Sequence, residues 1–372
     1  MKKLIALILV GMMCLTMLAG CGGEGNKPAP TDGSQQTSGT EAGDPTVEPI
    51  KVRTAYCYNA NTLMGQCFQY FQDYATELSG GVITFDTYGG SSLIAADDAL
   101  ESVGVGVADI VSGLPVRTPS LTPFGPASFY FPFRPENLET TYEVMSNLMT
   151  SFPEFTENVE QYNIKLMCVL PTPGMQLCST KPIQSYKDLK GMKVAAAGSD
   201  YKIWDAAGAV VVSVAGDSRY ENLQRSIVDA SYLDLSSIYA DHSYEVAPYV
   251  TYTGLGDLAT VQLWANADFW SGLSDAQRDI MEQAMSLAME KYIGYAQEYL
   301  DDAVAKMKQA GVTFYTLSAE DKAEWASLME NLPQQYAADL DSKGLPGTAF
   351  VEAYIKAFED AGHVWNRDWL EK

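Results

Sequence analysis

Histidine is almost absent from this chain of 372 residues, which contains only His242 and His363. A metal centre built from several histidines is therefore excluded. The sequence also lacks a G-x-S-x-G element, a Walker phosphate loop and an H-E-x-x-H motif, so three common catalytic and nucleotide-binding patterns are missing. We accordingly expect no metal and no cofactor.

Basic residues are few as well. The chain has 24 Lys and Arg against 47 Asp and Glu, which gives a net charge of −23. Such a charge repels the phosphates of nucleic acids, so no nucleic-acid partner is expected. The six cysteines include no C-x-x-C pair, which disfavours a zinc site.

A signal sequence is predicted at residues 1–20. Lys2 and Lys3 precede an apolar run from Leu4 to Leu18, which is too short to span a bilayer. The run ends Leu18-Ala19-Gly20-Cys21, the pattern cut by lipoprotein signal peptidase, so Cys21 is the predicted lipid attachment site. An ordinary signal peptide with a chance cysteine is the alternative. Lipid would hold the domain on the outer face of the cytoplasmic membrane without a spanning helix.

Residues 21–49 are rich in Gly, Ser, Thr, Pro and acidic residues, and we predict that they form a disordered tether. About 320 residues follow, enough for two lobes with a core each. Four cysteines remain in this part, namely Cys57, Cys67, Cys168 and Cys178. They allow three disulfide pairings that the sequence cannot rank, and free thiols are an equal alternative.

Strands alternate with helices along residues 50–172, which predicts a parallel sheet with outer helices. Lys51–Tyr58 is the first predicted strand, and Asn59 or Asn61 is the predicted cap of the helix that follows. A similar pattern runs from Lys181 to Leu233. It contains a helix capped at Gly198-Ser199-Asp200, a capping box of Ser218 with Glu221, and a third strand at Ile227-Val228-Asp229.

The longest periodic segment runs from Ser274 to Ala310. Ser274 and Gln277 have the spacing of a capping box, and Gly311 follows as a stop signal. A helix of this length spans about 54 Å, enough to cross two lobes, with Gly294 as a candidate bend. Two helices with an unmarked break are the alternative. Further helices are predicted near residues 319–332 and 348–361.

Several of these segments resemble one family, the solute-receptor subunit of TRAP (tripartite ATP-independent periplasmic) transporters. The matching segments are Pro182-Ile183, Asp188-Leu189-Lys190-Gly191-Met192-Lys193-Val194, Gly208-Ala209 and Tyr220-x-x-Leu223-Gln224-x-x-x-Val228-Asp229. The resemblance implies a two-lobed α/β fold like that of type II periplasmic binding proteins, with parallel-rich sheets and a long bent helix that spans both lobes. Lobe 1 would comprise residues 50–172 with about 259–290, and lobe 2 residues 173–258 with the C-terminal helices to 372.

The resemblance also implies a function. A monomeric extracytoplasmic receptor would capture a small organic solute and deliver it to the integral membrane subunits of a TRAP transporter, without enzymatic activity. One alternative is a lipoprotein receptor of another importer class. A second is an exported hydrolase similar to the GDSL esterases, suggested by Gly216-Asp217-Ser218 and Asp360-x-x-His363.

Ligand-binding residues are predicted from two criteria, position at the carboxyl ends of strands and the resemblance. In the first lobe they are Tyr56, Tyr58, Asn59, Thr62, Ser112 and Gly113. In the second lobe and the crossover they are Gln176, Ala195, Tyr220, Tyr232, Asp234, Trp264 and Asn266. The alternative for the tyrosines and Trp264 is a place in the core with their polar ends satisfied.

The sequence departs from the family at the residues that bind carboxylates. Ala195 and Gln176 stand where the family usually has arginine, and neither can replace the bidentate grip of a guanidinium group. We therefore expect a neutral, aromatic or monocarboxylate ligand rather than a dicarboxylate. Arg117 is the predicted partner of a single carboxylate, with Arg134 a weaker candidate.

Overall fold

The computed structural model describes residues 47–196, 201–214, 218–257 and 261–371. The signal sequence, Cys21 and the tether up to residue 46 lie outside these ranges. The predicted cap at Gly198-Ser199-Asp200 and the first two residues of Gly216-Asp217-Ser218 also lie outside the described residues.

The described residues form two sheets with helices around them. The strands are β1 (Ile50–Ala55), β2 (Ile83–Tyr88), β3 (Ile110–Gly113), β4 (Ile164–Leu170), β5 (Met175–Ser179), β6 (Lys193–Ala195), β7 (Val210–Val212), β8 (Ala230–Asp234), β9 (Tyr249–Tyr252), β10 (Val261–Asn266) and β11 (Thr313–Thr316). The helices are α1 (Leu63–Leu78), α2 (Ala99–Gly104), α3 (Leu138–Ser151), α4 (Pro153–Glu160), α5 (Tyr201–Ala206), α6 (Arg219–Gln224), α7 (Leu235–Ala240), α8 (Ala267–Gly272), α9 (Asp275–Gln309), α10 (Ala319–Leu328), α11 (Leu332–Ser342) and α12 (Gly347–Asp360).

Each lobe is built on one sheet, and both sheets are mixed. The first has the order β2-β1-β3-β10-β4, in which β10 is antiparallel to both neighbours. The second has the order β11-β9-β5-β8-β6-β7, in which β5 is antiparallel to β8 and β9. The chain passes between the sheets after β4 and returns into β10. The predicted two-lobed α/β fold is confirmed, with an antiparallel strand inside each sheet.

Helix α9 packs against both lobes. It is one continuous helix of 35 residues, and the predicted capping box of Ser274 with Gln277 is formed. Its first part, including Met281 and Tyr292, belongs to the core of the first lobe, whereas Ala303 and Met307 belong to that of the second. The alternative of two helices is therefore wrong. At about 1.5 Å per residue the helix is roughly 52 Å long.

Three local predictions are wrong. The cap of α1 is Thr62, whose hydroxyl accepts from Gly65 N at 3.1 Å, and not Asn59 or Asn61. The third strand of the second lobe begins at Ala230, because Ser226 has a left-handed φ of 56° and Ile227 lies in the turn that follows. The capping box of Ser218 is not formed, because the Ser218 hydroxyl accepts from the Asn222 side chain at 3.1 Å.

The C-terminal helices contact several parts of the chain. In α10, Trp325 donates its indole N–H to the Ile203 carbonyl at 3.0 Å. In α11, Tyr336 donates its hydroxyl to the Pro123 carbonyl at 2.6 Å, and α12 packs on α3. These helices therefore touch elements on both sides of the first crossover.

Candidate functional site

The carboxyl ends of β1 and β3 lie side by side at one edge of the first sheet. Just beyond β1, Cys57 N donates to the Ser112 hydroxyl at 2.9 Å, and that hydroxyl donates to Cys57 Sγ at 3.3 Å. Gly113 is required at the end of β3, because a Cβ there would clash with the Trp264 ring. This edge is thus a closely packed floor made of Cys57, Ser112 and Gly113.

Tyr58 links this edge to the second lobe. Its ring is half-buried and lies 6.3 Å from that of Phe68. Burial raises the pKa of Tyr58 above its ordinary value, Cys57 and the Asp234 carboxylate act in the same direction, and Arg117 opposes them. Tyr58 therefore lies within electrostatic reach of a cation from the first lobe and an acid from the second.

Arg117 is a weakly paired cation at this edge. It ends the short helical turn Pro115–Arg117 that follows β3, and its side chain is 56% exposed. The ion-pair partner is Asp97 at 3.7 Å, which is itself 72% exposed. Pairs of this kind are worth little in water, so Asp97 holds the guanidinium group only weakly.

Asp234 lies at the carboxyl end of β8 and caps α7. Its carboxylate accepts from Ser237 N at 2.9 Å and from the Ser237 hydroxyl at 2.6 Å. Nearby, Tyr232 is buried, with its ring 4.8 Å from that of Trp204 and its hydroxyl 3.5 Å from the Gly256 carbonyl. Ala195 is also buried, and Tyr220 is half-buried on α6.

Gln176 is held in a buried polar cluster beside the crossovers. Its amide donates to Glu136 Oε2 at 2.8 Å, and its carbonyl oxygen accepts from Thr253 N at 3.1 Å. Burial raises the pKa of the Glu136 carboxyl above its ordinary value, with the Gln176 bond and Lys322 acting in the opposite direction. Glu136 is not among the residues predicted from the sequence. The residues around Glu136 form no motif that would mark it as functional. The one related feature is distant in sequence: Gly174 has no side chain, and a Cβ there would clash with Glu136.

The remaining predicted residues have structural contacts inside the first lobe. Tyr56 is buried, stacks on Phe68 at 4.2 Å and accepts from Gln72 at 3.1 Å. Trp264 is buried and donates to Gln262 at 2.6 Å. Asn266 caps α8 and donates to the Val103 carbonyl at 2.8 Å. Asn59 and Thr62 are exposed at the start of α1.

Arg117 and Asp234 thus both influence the pKa of Tyr58, whereas Tyr56 and Trp264 lie in the core. Within the described ranges, no group of three His, Cys, Asp or Glu residues could hold a metal ion. The four cysteines Cys57, Cys67, Cys168 and Cys178 are free thiols. In the part of the chain that the structure describes, no helix combines the length and apolar character needed to cross a membrane.

Comparison with known families decides among the alternatives. The family described as bacterial extracellular solute-binding protein, family 7 (DctP), matches residues 54–339. The chain belongs to this family. It is 24% identical over 299 residues to the C4-dicarboxylate-binding periplasmic protein DctP of Rhodobacter capsulatus, covering 78% of this chain and 87% of the relative. It is 23% identical over 290 residues to the ectoine-binding periplasmic protein TeaA of Halomonas elongata, covering 77% and 83%.

Solved structures show the same fold. The ectoine-binding protein of the TeaABC TRAP transporter of Halomonas elongata superposes with a TM-score of 0.71 at 22% identity, covering 84% of this chain and 100% of that one. A TRAP solute-binding protein of Sulfitobacter with bound β-D-galacturonate has a TM-score of 0.69 at 18% identity, covering 82% and 100%. The family-7 chain is therefore a solute receptor of the TRAP type. Its relatives are binding proteins that work with membrane subunits, not enzymes, which removes the hydrolase alternative.

Proposed function

We propose that this TRAP receptor captures a neutral, aromatic or singly charged organic solute, in which a single carboxylate would be bound by Arg117. The proposal rests on the buried hydrogen bond between Gln176 and Glu136. The resemblance implies that the family often has a carboxylate-binding arginine at this position, whereas here the amide is buried and bonded to a carboxylate, that of Glu136. A ligand carboxylate at this point would meet an acid instead of a cation.

Charge counting supports the same conclusion. Among the fourteen predicted binding residues, all of which the structure describes, Arg117 is the only cation. Burying a second ligand carboxylate without a cation would cost several kcal/mol, more than a few neutral hydrogen bonds recover. Relatives with bound galacturonate or glucuronate carry ligands of one carboxylate each, so the fold accommodates this class.

A thermal-shift screen tests the proposal. Succinate and malate are compared with galacturonate, benzoate and uncharged aromatic solutes, on the wild-type protein and on Arg117→Ala. A ligand present at a hundred times its dissociation constant stabilises the protein by about 2.7 kcal/mol. We expect this shift from a singly charged or uncharged solute. For a monocarboxylate it should be lost in Arg117→Ala and kept in Lys51→Ala, which removes an exposed cation that pairs with Asp86.

Two results would contradict the proposal. The first is a strong shift with succinate or malate while uncharged and singly charged solutes have no effect. The second is a carboxylate-dependent shift that survives in Arg117→Ala, because another cation would then bind the ligand.

We also propose that Cys21 carries lipid and holds the receptor, as a monomer, on the outer face of the cytoplasmic membrane. The support is the Leu18-Ala19-Gly20-Cys21 pattern behind a charged and apolar leader. Cys21→Ala should release the protein from the membrane fraction or leave an uncleaved precursor. Unchanged processing and membrane retention would show that an ordinary signal peptide is present.

A further inference from the structure

A pocket lies beside the segment that leads from β9 into β10. Its volume is about 370 Å³, and its lining includes Arg134, Glu136, Gly254, Lys322, His363 and Asn366. We call it the hinge pocket. None of the fourteen predicted binding residues, all within the described ranges, lines it. The hinge pocket therefore shares no lining residue with the predicted site around Tyr58 and Arg117, but Glu136 connects it to the predicted binding residue Gln176.

The hinge pocket contains two groups of opposite charge. Lys322 lies in the first turn of α10, and its ammonium group interacts electrostatically with the Glu136 carboxylate. In the part of the chain that the structure describes, Lys322 forms no salt bridge. Gly254 makes room for this lysine, because a Cβ there would clash with the ammonium group. Arg134 adds no free charge, since its guanidinium group is paired with Asp257 at 2.5 Å.

Three polar side-chain atoms at the hinge pocket are buried and have no hydrogen-bond partner among the described residues. Glu136 uses Oε2 to accept from Gln176, while its Oε1 is unpaired. His363 Nε2 and the donor Arg134 Nη2 are unpaired as well. Burial lowers the pKa of His363, which favours the neutral ring. Buried polar atoms are normally hydrogen-bonded, so these three atoms at one pocket indicate that a donor and an acceptor are missing.

We infer that the hinge pocket is a second binding site, which takes a small zwitterion of the amino-acid class. The ligand's ammonium group would donate to Glu136 Oε1 and His363 Nε2, and its carboxylate would pair with Lys322. Both charges of the pocket then have a partner on the ligand, whereas a ligand with one charge offers a partner to only one of Lys322 and Glu136. The volume is within the range of small-ligand pockets. Glu136 would then contact the ligand through Oε1 and Gln176 through Oε2.

Isothermal titration calorimetry with L-alanine and L-serine tests the inference, with propionate and ethylamine as single-charge controls. The titrations use the wild-type protein, Lys322→Met, Glu136→Gln, and Arg117→Ala as a control at the other site. We expect the amino acids to bind and the single-charge compounds to bind at least about tenfold more weakly. Affinity for the amino acids should fall about tenfold or more in Lys322→Met and in Glu136→Gln, and stay unchanged in Arg117→Ala.

Three outcomes would overturn the inference. The first is that neither amino acid binds the wild-type protein at millimolar concentration. The second is unchanged binding in Lys322→Met, a variant expected to fold because the lysine side chain is partly exposed. The third is loss of binding in Arg117→Ala, which would place the amino acid at the other site. If Glu136→Gln does not fold, Lys322→Met decides alone.

Discussion

Breaking the buried ion pair of Arg134 with Asp257 should lower the stability of the protein by several kcal/mol. The two side chains are 0% and 2% exposed, with Arg134 Nη1 at 2.5 Å from Asp257 Oδ1. Asp257 follows β9, and its second oxygen lies 3.5 Å from the Thr172 hydroxyl in the first crossover. The pair thus connects both segments that join the lobes.

Arg134→Met removes the cation and leaves the Asp257 carboxylate in a buried position. Removal of one partner from a buried pair typically costs about 3–5 kcal/mol, because the remaining charge has lost its compensation. The double variant Arg134→Met with Asp257→Asn carries no such charge, and we expect it to be more stable than Arg134→Met alone. Lys343→Met is the control, since its exposed pair with Asp339 should contribute less than about 1 kcal/mol.

Urea denaturation followed by circular dichroism measures the free energy of unfolding of five proteins, namely the wild type, Arg134→Met, Asp257→Asn, the double variant and Lys343→Met. The slope against urea concentration must stay constant for the comparison to report stability. A decrease in unfolding free energy of less than about 1 kcal/mol in Arg134→Met would refute the reasoning, since an unpaired buried carboxylate should destabilise the protein by more. A double variant as unstable as the sum of the two single variants would refute it too.

Two further predictions concern local hydrogen bonds. Ser274→Ala should lower the free energy of unfolding by about 1 kcal/mol, because it removes the capping box of α9. Ser218→Ala should lower it less, because that hydroxyl does not cap its helix. Equal losses of stability for the two variants in urea titrations would contradict this. The pKa of Asp229 lies below its ordinary value of 3.8, mainly because the backbone N–H of Lys193 donates to its carboxylate and secondarily because Lys181 is close. The stability that this carboxylate contributes is therefore present above pH 3.8 and is lost as the pH falls further. The difference in unfolding free energy between the wild-type protein and Asp229→Asn should therefore shrink from pH 7 to pH 3, and a constant difference would show that Asp229 has no shifted pKa.

The elements predicted correctly are those with strong local signals. Helix α9 has a capping serine, a long apolar face and a glycine stop, all readable within one segment. Strands β9 and β11 were missed because they are four residues long and depend on partners far away in the chain. β9 pairs with β5, about 70 residues earlier, and local sequence does not reveal such a pairing.

The site shows the same division. Tyr56, Tyr58 and Trp264 are all aromatic residues near strand ends, and the sequence does not distinguish them. Their partners do, since Tyr56 bonds Gln72 and Trp264 bonds Gln262, whereas Tyr58 is half-buried and within reach of Arg117 and Asp234. Which aromatic residue is buried in the core depends on tertiary contacts rather than on residue type.

The role of position 176 also depends on a tertiary contact, that of Gln176 with Glu136. The resemblance identifies it as a position that lost an arginine, but the structure adds that Glu136 Oε2 lies 2.8 Å from its amide. An arginine placed at 176 would be expected to pair with that carboxylate, because Glu136 already lies within hydrogen-bond distance and guanidinium–carboxylate contacts are strong. The charge would then be unavailable to a solute. The ligand preference proposed here is therefore set by Glu136 together with Gln176, and restoring the arginine alone would not restore a dicarboxylate site.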